Sequence, residues 1–586
     1  MSVEEKETPI AFTQSEQTVV DTLPTKEDPD AVGGKGEEKQ PLHTRVLKAV
    51  STREGWFGDY DYAWLCTPQL PFLSKRGEPP FYGVNDKIPI FMAAVLGLQH
   101  ALAMLGGLIT PPIVLGGAGD GHLNLDADYK NYMISAALIS CGILTIFSIT
   151  ALPLPGNRQL GTGLISVLGT SFAFVPVAEA GFKQMYSSGF CKTIIGADGT
   201  SVPQPCPEAW GAFLGTCMLC CWIEIALSQL PAKTIKKVFP PLVSGIVLTL
   251  VGVELTGTGM KYWAGGSGPC LSRPATGFFS KCPNIAAPNA VPWGHANWIG
   301  LGFSVWVTIV LIEVIGSPFM KSASVVIGLA VGYIIAAATG YISTSGMNSA
   351  PAVTFLWVKT FPISINGPLV IPCLFVFIVL TLENIGDVTA TCDVSNVEVE
   401  GPVFEKRIRG GLLADGIAAF ISTLFTNAPV TTFAQNNGVI ALTKCANRQA
   451  GYWCCFWLIL AGVFSKFAAF ITAMPDAVLG GMTSFLFCNV AVSGIRILAY
   501  CKWTRRQRFI ASCSFCIGLG VIIVPSWFTH FFTYAGDNAA LKGFLDAISI
   551  VVSTGYCISG FIAIFLNLVL PETDESTEIQ SRVHAH

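Results

Sequence analysis

The stretch whose residue types are best suited to bind a polar ligand is Thr431–Lys444 (TTFAQNNGVIALTK), between two apolar runs that are each long enough to cross a bilayer. Three consecutive amides, Gln435, Asn436 and Asn437, precede the helix breaker Gly438. Amides and irregular backbone persist at membrane depth only where they are hydrogen-bonded or line a cavity. We therefore expect a strand that breaks into a half-helix facing a polar ligand. The alternative is a connecting loop with Asn–Gly turn chemistry.

A second copy of this pattern lies earlier in the chain. Thr170–Phe174 (TSFAF) matches Thr431–Gln435 (TTFAQ), and it also lies in a short, glycine-bounded segment. Four further residues recur at a constant offset, namely Pro240, Val243, Gly245 and Gly259 as Pro475, Val478, Gly480 and Gly494. Matches in the same order indicate an internal repeat, and paired interrupted segments are the best sequence indicator of a transporter's binding site.

Carboxylates inside apolar runs are the next candidates, because an unpaired charge at membrane depth is costly. Glu383 lies toward the end of one run, and its carboxylate can accept two N–H donors from a planar heterocycle. Asp387 follows one helical turn later on the same face. Each has a structural alternative, in which the carboxylate only holds a backbone or amide group.

Four other residues complete the candidate site. Asp415 either titrates with a coupled proton or hydrogen-bonds the neighbouring broken segment, and His100 either lines the cavity or, as we prefer, holds two helices together. Phe172 and Phe433 occupy equivalent positions in the two copies, so we expect them to sandwich a flat ring. The Gln435 amide is complementary to an imide or amide edge.

Composition places these residues in a membrane protein. Of the 586 residues, 51% are hydrophobic and only 12% are charged, whereas soluble proteins carry roughly 25% charged residues. The net charge of −3 gives no indication of a nucleic-acid partner. We find no nucleophile–base set and no His/Cys cluster, so we expect neither an enzyme nor a metal or cofactor site. Five other ionisable residues lack a repeat partner and are expected at helix ends or in bundle contacts: Glu224, Glu254, Glu313, Lys466 and Arg496.

The apolar runs predict an all-α polytopic membrane protein with fourteen segments in two inverted seven-segment repeats, in which segments 3 and 10 contain a short strand and a half-helix. The predicted segments are 88–110, 131–152, 160–180, 210–230, 238–258, 299–316, 321–342, 367–388, 410–428, 429–443, 452–474, 476–498, 508–527 and 545–570. Lysine and arginine are concentrated in alternate loops, so the positive-inside rule places both termini in the cytosol.

The polar regions outside the spans give two further expectations. Residues 1–86 are too polar to form a core and are expected to be a disordered cytosolic tail. Within this tail, Trp56–Phe81 is expected to dock at the membrane surface or on a cytosolic face, and the alternative is a sorting signal. Most of the 19 cysteines lie in apolar runs and are expected to be packing residues. In two predicted outer loops, disulfides are possible, and their presence stays open: Cys191 with Cys206, and Cys270 with Cys282.

The motif Gln435-Asn436-x-Gly438-x₄-Thr443-Lys444 matches the signature of the nucleobase–ascorbate transporter family at every specified position. The blocks AQNNGVIALTKCANR, ENIGDVTATCDVS and LGLQHALAMLGG resemble the fungal uric acid–xanthine permeases of that family, and the resemblance covers about 50–570. The chain departs from these permeases in the last span, where Tyr556 stands in place of the more usual Phe.

The resemblance implies roles for residues at matching positions. Glu383 and Gln435 would bind a purine, and Phe172, Phe433 and Ala434 would line the pocket. Residues with proton-coupling or supporting roles would be Asp415, Asp387, Asn436 and His100, whereas Thr554 and Tyr556 would lie on the selectivity path. The family's first signature residue is Gln in purine carriers, Glu in bacterial uracil carriers and Pro in ascorbate carriers, so Gln435 indicates purines.

The resemblance also implies a homodimer and an elevator motion, in which a core domain slides against a gate domain. The implied division is a cytosolic N-terminal tail (1–86), a first core part (87–230), a first gate part (231–345), a second core part (346–475), a second gate part (476–570) and a cytosolic C-terminal tail (571–586). These observations predict a proton-coupled plasma-membrane carrier, in contact with membrane lipid, that takes up xanthine and uric acid. The alternatives are a nucleobase or ascorbate carrier of different specificity, a channel, a membrane enzyme, or a purine sensor that does not transport.

Overall fold

The computed structural model describes residues 51–571 apart from 59, 69, 71–76, 78, 120, 157, 196–200, 232–239, 277, 283–286, 343–344, 533, 535 and 537. The prediction of disorder for residues 1–50 and the predicted C-terminal tail beyond 571 lie outside these residues. The described helices, numbered in chain order, are α1 (Arg53–Phe57), α2 (Tyr62–Cys66), α3 (Ile90–Leu115), α4 (Ala127–Ile149), α5 (Phe174–Ser187), α6 (Pro207–Cys220), α7 (Trp222–Leu227), α8 (Pro241–Trp263), α9 (Ala296–Ile315), α10 (Pro318–Ser322), α11 (Ser324–Ala338), α12 (Ser345–Ser349), α13 (Gly367–Val394), α14 (Pro402–Leu424), α15 (Gln435–Thr443), α16 (Arg448–Val463), α17 (Ser465–Thr472), α18 (Asp476–Ala499), α19 (Arg505–Ile523), α20 (Ala539–Ser553) and α21 (Gly555–Val569). The strands are β1 (Leu152–Leu154), β2 (Arg158–Leu160), β3 (Leu168–Thr170), β4 (Thr193–Ile195), β5 (Ser201–Pro203) and β6 (Val430–Thr432).

Many of these helices have the length and composition of membrane spans. Within the described ranges, eight are long and apolar enough to cross a bilayer: Ile90–Leu115, Ala127–Ile149, Pro207–Leu227, Pro241–Trp263, Ala296–Ile315, Gly367–Val394, Asp476–Ala499 and Arg505–Ile523. Two bent pairs, α16 with α17 at 74° and α20 with α21 at 89°, raise the number to ten if each pair is one crossing. The chain is therefore a polytopic helical membrane protein, and the count of fourteen remains a prediction.

The two broken segments meet as a pair of short antiparallel strands. β3 precedes α5, β6 precedes α15, and the strands pair Leu168 with Thr432 and Thr170 with Val430. Every residue of both strands is buried. Part of the polar backbone of each strand is satisfied by the other strand, and the Leu168 N–H donates to Thr145 Oγ1 of α4 at 2.9 Å. Such pairing is what lets a sheet persist deep inside an apolar helical protein. This is the strand and half-helix arrangement that the sequence predicts for segments 3 and 10.

The repeated prolines and glycines have matching structural roles. Pro240 and Pro475 are the N-cap residues of α8 and α18. These two helices cross so closely that a Cβ added to Gly245 would lie 3.1 Å from the Gly494 carbonyl oxygen, and one added to Gly494 would lie 2.9 Å from the Gly245 carbonyl oxygen. The repeat therefore specifies where small residues let two backbones approach each other.

Part of the N-terminal tail packs on the protein. Tyr60 and Leu65 are buried, and Tyr82 forms a β-bridge with Cys445, just beyond the end of α15. In this bridge the Tyr82 N–H donates to the Lys444 carbonyl at 2.8 Å. The expectation of disorder is thus wrong for Arg53–Phe57 and Tyr62–Cys66, which form α1 and α2. Docking is the interpretation that the structure supports for the described part of Trp56–Phe81, whereas residues 59, 69, 71–76 and 78 of this segment lie outside the description.

Both cysteine pairs that the sequence left open are disulfides. Cys191 and Cys206 flank the β4–β5 hairpin, with their Cα atoms 5.7 Å apart. Cys270 and Cys282 have the same Cα separation. Each bond closes a loop that the pattern of apolar runs and loop charges predicts on the outer side.

Candidate substrate-binding site

The helix that carries Glu383 is fastened to the broken segment that carries Gln435. Thr432 Oγ1 donates a hydrogen bond to Asp387 Oδ2 at 3.3 Å. One turn later, Thr391 Oγ1 donates to Asn437 Oδ1 at 2.7 Å. The two bonds lie on either side of Gln435, and Asp387 is one turn beyond Glu383. The acidic face of α13 is therefore held against the start of α15.

The two segments leave space next to these polar groups. Glu383 and Gln435 are half-buried, whereas Ala434 and Gly438 beside Gln435 are exposed. Gly386, one turn after Glu383, is also exposed, and a Cβ added to either glycine would meet no atom within 4 Å. A partly buried carboxyl and amide beside an opening are typical of a site that binds a small polar ligand.

The two repeat-related phenylalanines do not leave a slot between their rings. The Phe172 and Phe433 rings are nearly parallel, at 14°, with centroids 5.7 Å apart. A flat ligand between them would need roughly 7 Å, which is two carbon–carbon contact distances. The expected sandwich is therefore wrong for this conformation, because the rings stack on each other and form one aromatic wall. The Phe172 ring also meets Phe487 of α18 edge to face, at 5.5 Å.

Glycines fix the position of the Phe433 ring. A Cβ added to Gly107 of α3 or Gly169 of β3 would lie 2.6 Å from an atom of this ring. No side chain fits at either position unless the ring moves. Phe433 is therefore held between α3 and β3, and its backbone leads directly to Ala434 and Gln435.

His100 and Asp415 hold the broken segment from two other helices. The His100 Nδ1 atom lies 3.2 Å from Asn436 Oδ1, and both residues are 1% exposed. This is the helix-bridging role that we preferred for His100. Asp415 is equally buried, and its Oδ2 accepts a hydrogen bond from Thr431 Oγ1 at 2.9 Å. One of the two roles considered for Asp415, a bond to the neighbouring broken segment, is thus present.

Tyr556 contacts the backbone next to the aromatic wall. Its side chain is fully buried, and its hydroxyl donates to the Ala173 carbonyl at 2.6 Å. Ala173 is the N-cap residue of α5 and follows Phe172 directly. Thr554 is buried at the 89° bend between α20 and α21, and its hydroxyl donates to the Ile550 carbonyl at 2.8 Å. The additional hydroxyl of Tyr556 therefore acts on the backbone next to Phe172.

Three residues of this network were given no role from the sequence. Thr432 and Asn437 lie in the broken segment, but the residues that their side chains would contact could not be identified. Thr391 lies eight residues after Glu383, so two helical turns place it on the same face. That spacing, together with Asp387 between them, is the signal from which a polar stripe along α13 could have been predicted.

Comparison with known proteins gives consistent results over most of the chain. The family model Xan_ur_permease, described as "Permease family", matches residues 91–527. The chain is 50% identical to a "Purine permease" of Emericella nidulans over 94% of this chain and 95% of the relative. It is 48% identical to the "Uric acid-xanthine permease" of the same organism over 94% of each. It is 30% identical to "Xanthine permease XanQ" of Escherichia coli over 85% of this chain and 95% of that protein.

The solved structures that align with the chain are more distant. The transmembrane domain of the cyanobacterial bicarbonate transporter BicA aligns with 83% of this chain and 99% of its own, at 12% identity and a TM-score of 0.45. The inward-facing murine anion transporter Slc26a9 aligns with 87% of this chain and 74% of its own, at 12% identity and a TM-score of 0.48.

Proposed function

The chain belongs to the Xan_ur_permease family of nucleobase–ascorbate transporters, and on this premise we propose that it takes up xanthine and uric acid together with protons. It is a multi-pass membrane permease rather than an enzyme. The names of the relatives at 48% and 50% identity support purines as the substrate class. Location in the plasma membrane is part of the proposal, and the loop charges support an orientation with both termini in the cytosol.

The fastening of α13 to the β6–α15 segment is the observation that carries the proposal. The bonds Thr432–Asp387 and Thr391–Asn437 fix the two elements that bear Glu383 and Gln435. In the proposed complex the Glu383 carboxylate accepts N–H donors of the purine, while the Gln435 amide pairs with a carbonyl and N–H edge. The purine ring lies in the opening beside the aromatic wall rather than between its two rings.

Transport itself is proposed to be an elevator motion within a homodimer. In this mechanism α3–α7 and α13–α17 form the core that carries the purine, and the remaining membrane helices form the gate. The close crossing of α8 and α18 at Gly245 and Gly494 supports the gate as a rigid unit, because the backbones cannot move apart without losing this packing. The Phe172–Phe487 contact and the Tyr556–Ala173 hydrogen bond join the proposed core to the proposed gate in this conformation.

Uptake of radiolabelled xanthine by a host that lacks its own purine carriers tests the proposal. We expect saturable uptake that is stronger at acidic than at neutral external pH and is inhibited by unlabelled uric acid. Glu383→Ala should abolish uptake at normal surface expression, and Glu313→Gln, a change of an exposed acid in α9, should not.

Other outcomes of the same assay identify the alternatives. Inhibition by uracil or ascorbate in place of uric acid would indicate a carrier of different specificity on this fold. Uptake without accumulation above the external concentration would indicate a channel, and xanthine binding without any flux would indicate a sensor. Normal xanthine accumulation by the Glu383→Ala variant would contradict the proposed site.

A further inference from the structure

Two acidic side chains from separate helices meet behind the candidate purine site. Glu224, for which the sequence indicated only a helix-end or bundle role, lies in α7 and is 0% exposed. α7 packs so closely on α14 that a Cβ added to Gly416 would lie 3.5 Å from Glu224 Cγ. Asp415 precedes Gly416 in α14, and its carboxyl lies within hydrogen-bonding reach of the Glu224 carboxyl.

Three of the four carboxylate oxygens of this pair have no hydrogen-bond partner among the described residues. They are both carboxylate oxygens of Glu224 and Oδ1 of Asp415, and all three are buried. Asn384 of α13 is within reach of Asp415, and its buried amide is unpartnered as well. The other oxygen of Asp415 is occupied, because it accepts the bond from Thr431.

The charges that act most strongly on Glu224 are acidic. They are the carboxyls of Asp415 and Glu383. The remaining titratable neighbours are Asp387 of α13, which lies near Asp415, and Cys221 beside Glu224. Two ionised carboxylates cannot share a dry site without strong repulsion, whereas one proton between them supplies the missing donor.

We infer that Glu224 and Asp415 together bind the proton that is transported with the purine, at a site separate from the purine contact of Glu383. The inference rests on the proposed proton-coupled uptake and adds to it a second residue and a location. Uptake of the proton forms one O–H bond on a carboxyl of the pair, and its release to cytosolic water breaks that bond and leaves both groups ionised. No other reactant is required.

The neighbours of the pair connect it to the purine site and to the surface. Asp415 is bonded to Thr431, four residues before Gln435, so repulsion within an ionised pair acts on the strand that carries the purine contact. On the other side, Glu224 lies one turn before Ser228, whose carbonyl accepts a hydrogen bond from Arg409 at 3.4 Å. Arg409 also donates to the carbonyl of exposed Gln229 at 3.1 Å, so this end of α7 reaches the protein surface.

The test uses purified full-length protein in proteoliposomes with an inward proton gradient of one pH unit and no membrane potential. A carrier that moves one proton with each neutral purine accumulates xanthine about tenfold under this gradient. We compare wild type with Glu224→Gln, which keeps the shape and removes the titratable group, and with Glu224→Asp, which keeps a carboxyl. Glu313→Gln is the matched control, because it removes an exposed acid from another helix.

The inference predicts that Glu224→Gln lowers the accumulation ratio to about one while xanthine–xanthine exchange, which needs no net proton movement, remains measurable. Glu224→Asp should recover part of the accumulation, and Glu313→Gln should match wild type. Wild-type accumulation by Glu224→Gln, an equal loss of exchange and accumulation, or accumulation that follows a sodium gradient instead would overturn the inference. If wild type itself fails to accumulate xanthine, the proposed function is wrong and not only this assignment.

A spectroscopic measurement covers the case in which Glu224→Gln does not fold. Infrared spectra of the wild-type protein at neutral pH should contain the carbonyl band of a buried protonated carboxylic acid, and the band should shift in deuterated water. Its absence would also overturn the inference.

Discussion

Replacing Tyr556 by Phe removes one hydroxyl that joins the last helix to the backbone of the candidate site. The hydroxyl donates to the Ala173 carbonyl at 2.6 Å, and both residues are buried. Because the carbonyl of an N-cap residue also accepts the first bond of its helix, Ala173 is not left unpaired in the variant. The expected cost is therefore that of one ordinary hydrogen bond, about 0.5–1.5 kcal/mol, rather than that of a buried orphan group.

This energy corresponds to a change of about two- to tenfold in an equilibrium constant. Since Ala173 follows Phe172, we expect Tyr556→Phe to loosen the aromatic wall, to raise the KM for xanthine by this factor, and to widen the range of purines that compete. The assay is initial-rate xanthine uptake at matched surface expression, with a panel of unlabelled purines.

Tyr186→Phe provides the matched control. Tyr186 lies near the C-terminal end of α5, at the opposite end of this helix from Ala173, and its hydroxyl donates to the Gln204 carbonyl at 2.7 Å. This variant should lose similar thermal stability but keep the wild-type KM. The reasoning is refuted if Tyr556→Phe has a KM within twofold of wild type and the same competitor ranking, or if Tyr186→Phe changes both as much.

Three further variants test other parts of the structure. Thr391→Val leaves the Asn437 carbonyl oxygen without its donor, at a cost of about 1–3 kcal/mol. The melting temperature should therefore fall and the KM for xanthine should rise. A wild-type KM would contradict the proposed fastening of α13 to α15. Gly169→Ala places a Cβ 2.6 Å from the Phe433 ring. This overpacking, which costs about 1–3 kcal/mol, should abolish xanthine uptake, and adding Phe433→Leu should restore part of it. If the double variant recovers no uptake, the clash with Phe433 is not the cause of the loss. Cys191→Ser opens a disulfide with a sequence separation of 15, which contributes about 3 kcal/mol to stability. The melting temperature should therefore fall while the KM for xanthine stays unchanged. An unchanged melting temperature would refute the stabilising role of this disulfide.

The broken segments could be predicted from sequence because their signal is local. An amide run ending in a glycine, between two apolar runs, has few stable arrangements in a membrane. The repeated Pro240 and Pro475 could be matched for the same reason, since each begins a helix and needs no knowledge of distant residues. Residue chemistry within the apolar runs selected Glu383 and Gln435, and the family resemblance then implied that they bind a purine.

The remaining features depend on contacts between residues that are far apart in sequence. The Tyr556–Ala173 bond joins positions 383 residues apart, and the registers of several packed helices determine whether the two groups meet. The mutual stacking of Phe172 and Phe433 depends on how each chain turns after its strand, which the pattern of residue types does not specify. Glu224 was set aside because it has no repeat partner, yet the close approach of α7 to Gly416 brings it to Asp415.

The most direct test of the purine site is an experimental structure of the purified protein with bound xanthine. We predict that the purine lies in the opening beside Gly438, with Glu383 carboxylate oxygens and the Gln435 amide each about 3 Å from its nitrogen or oxygen atoms. Xanthine bound elsewhere, or in contact with only one of these two side chains, would contradict the account.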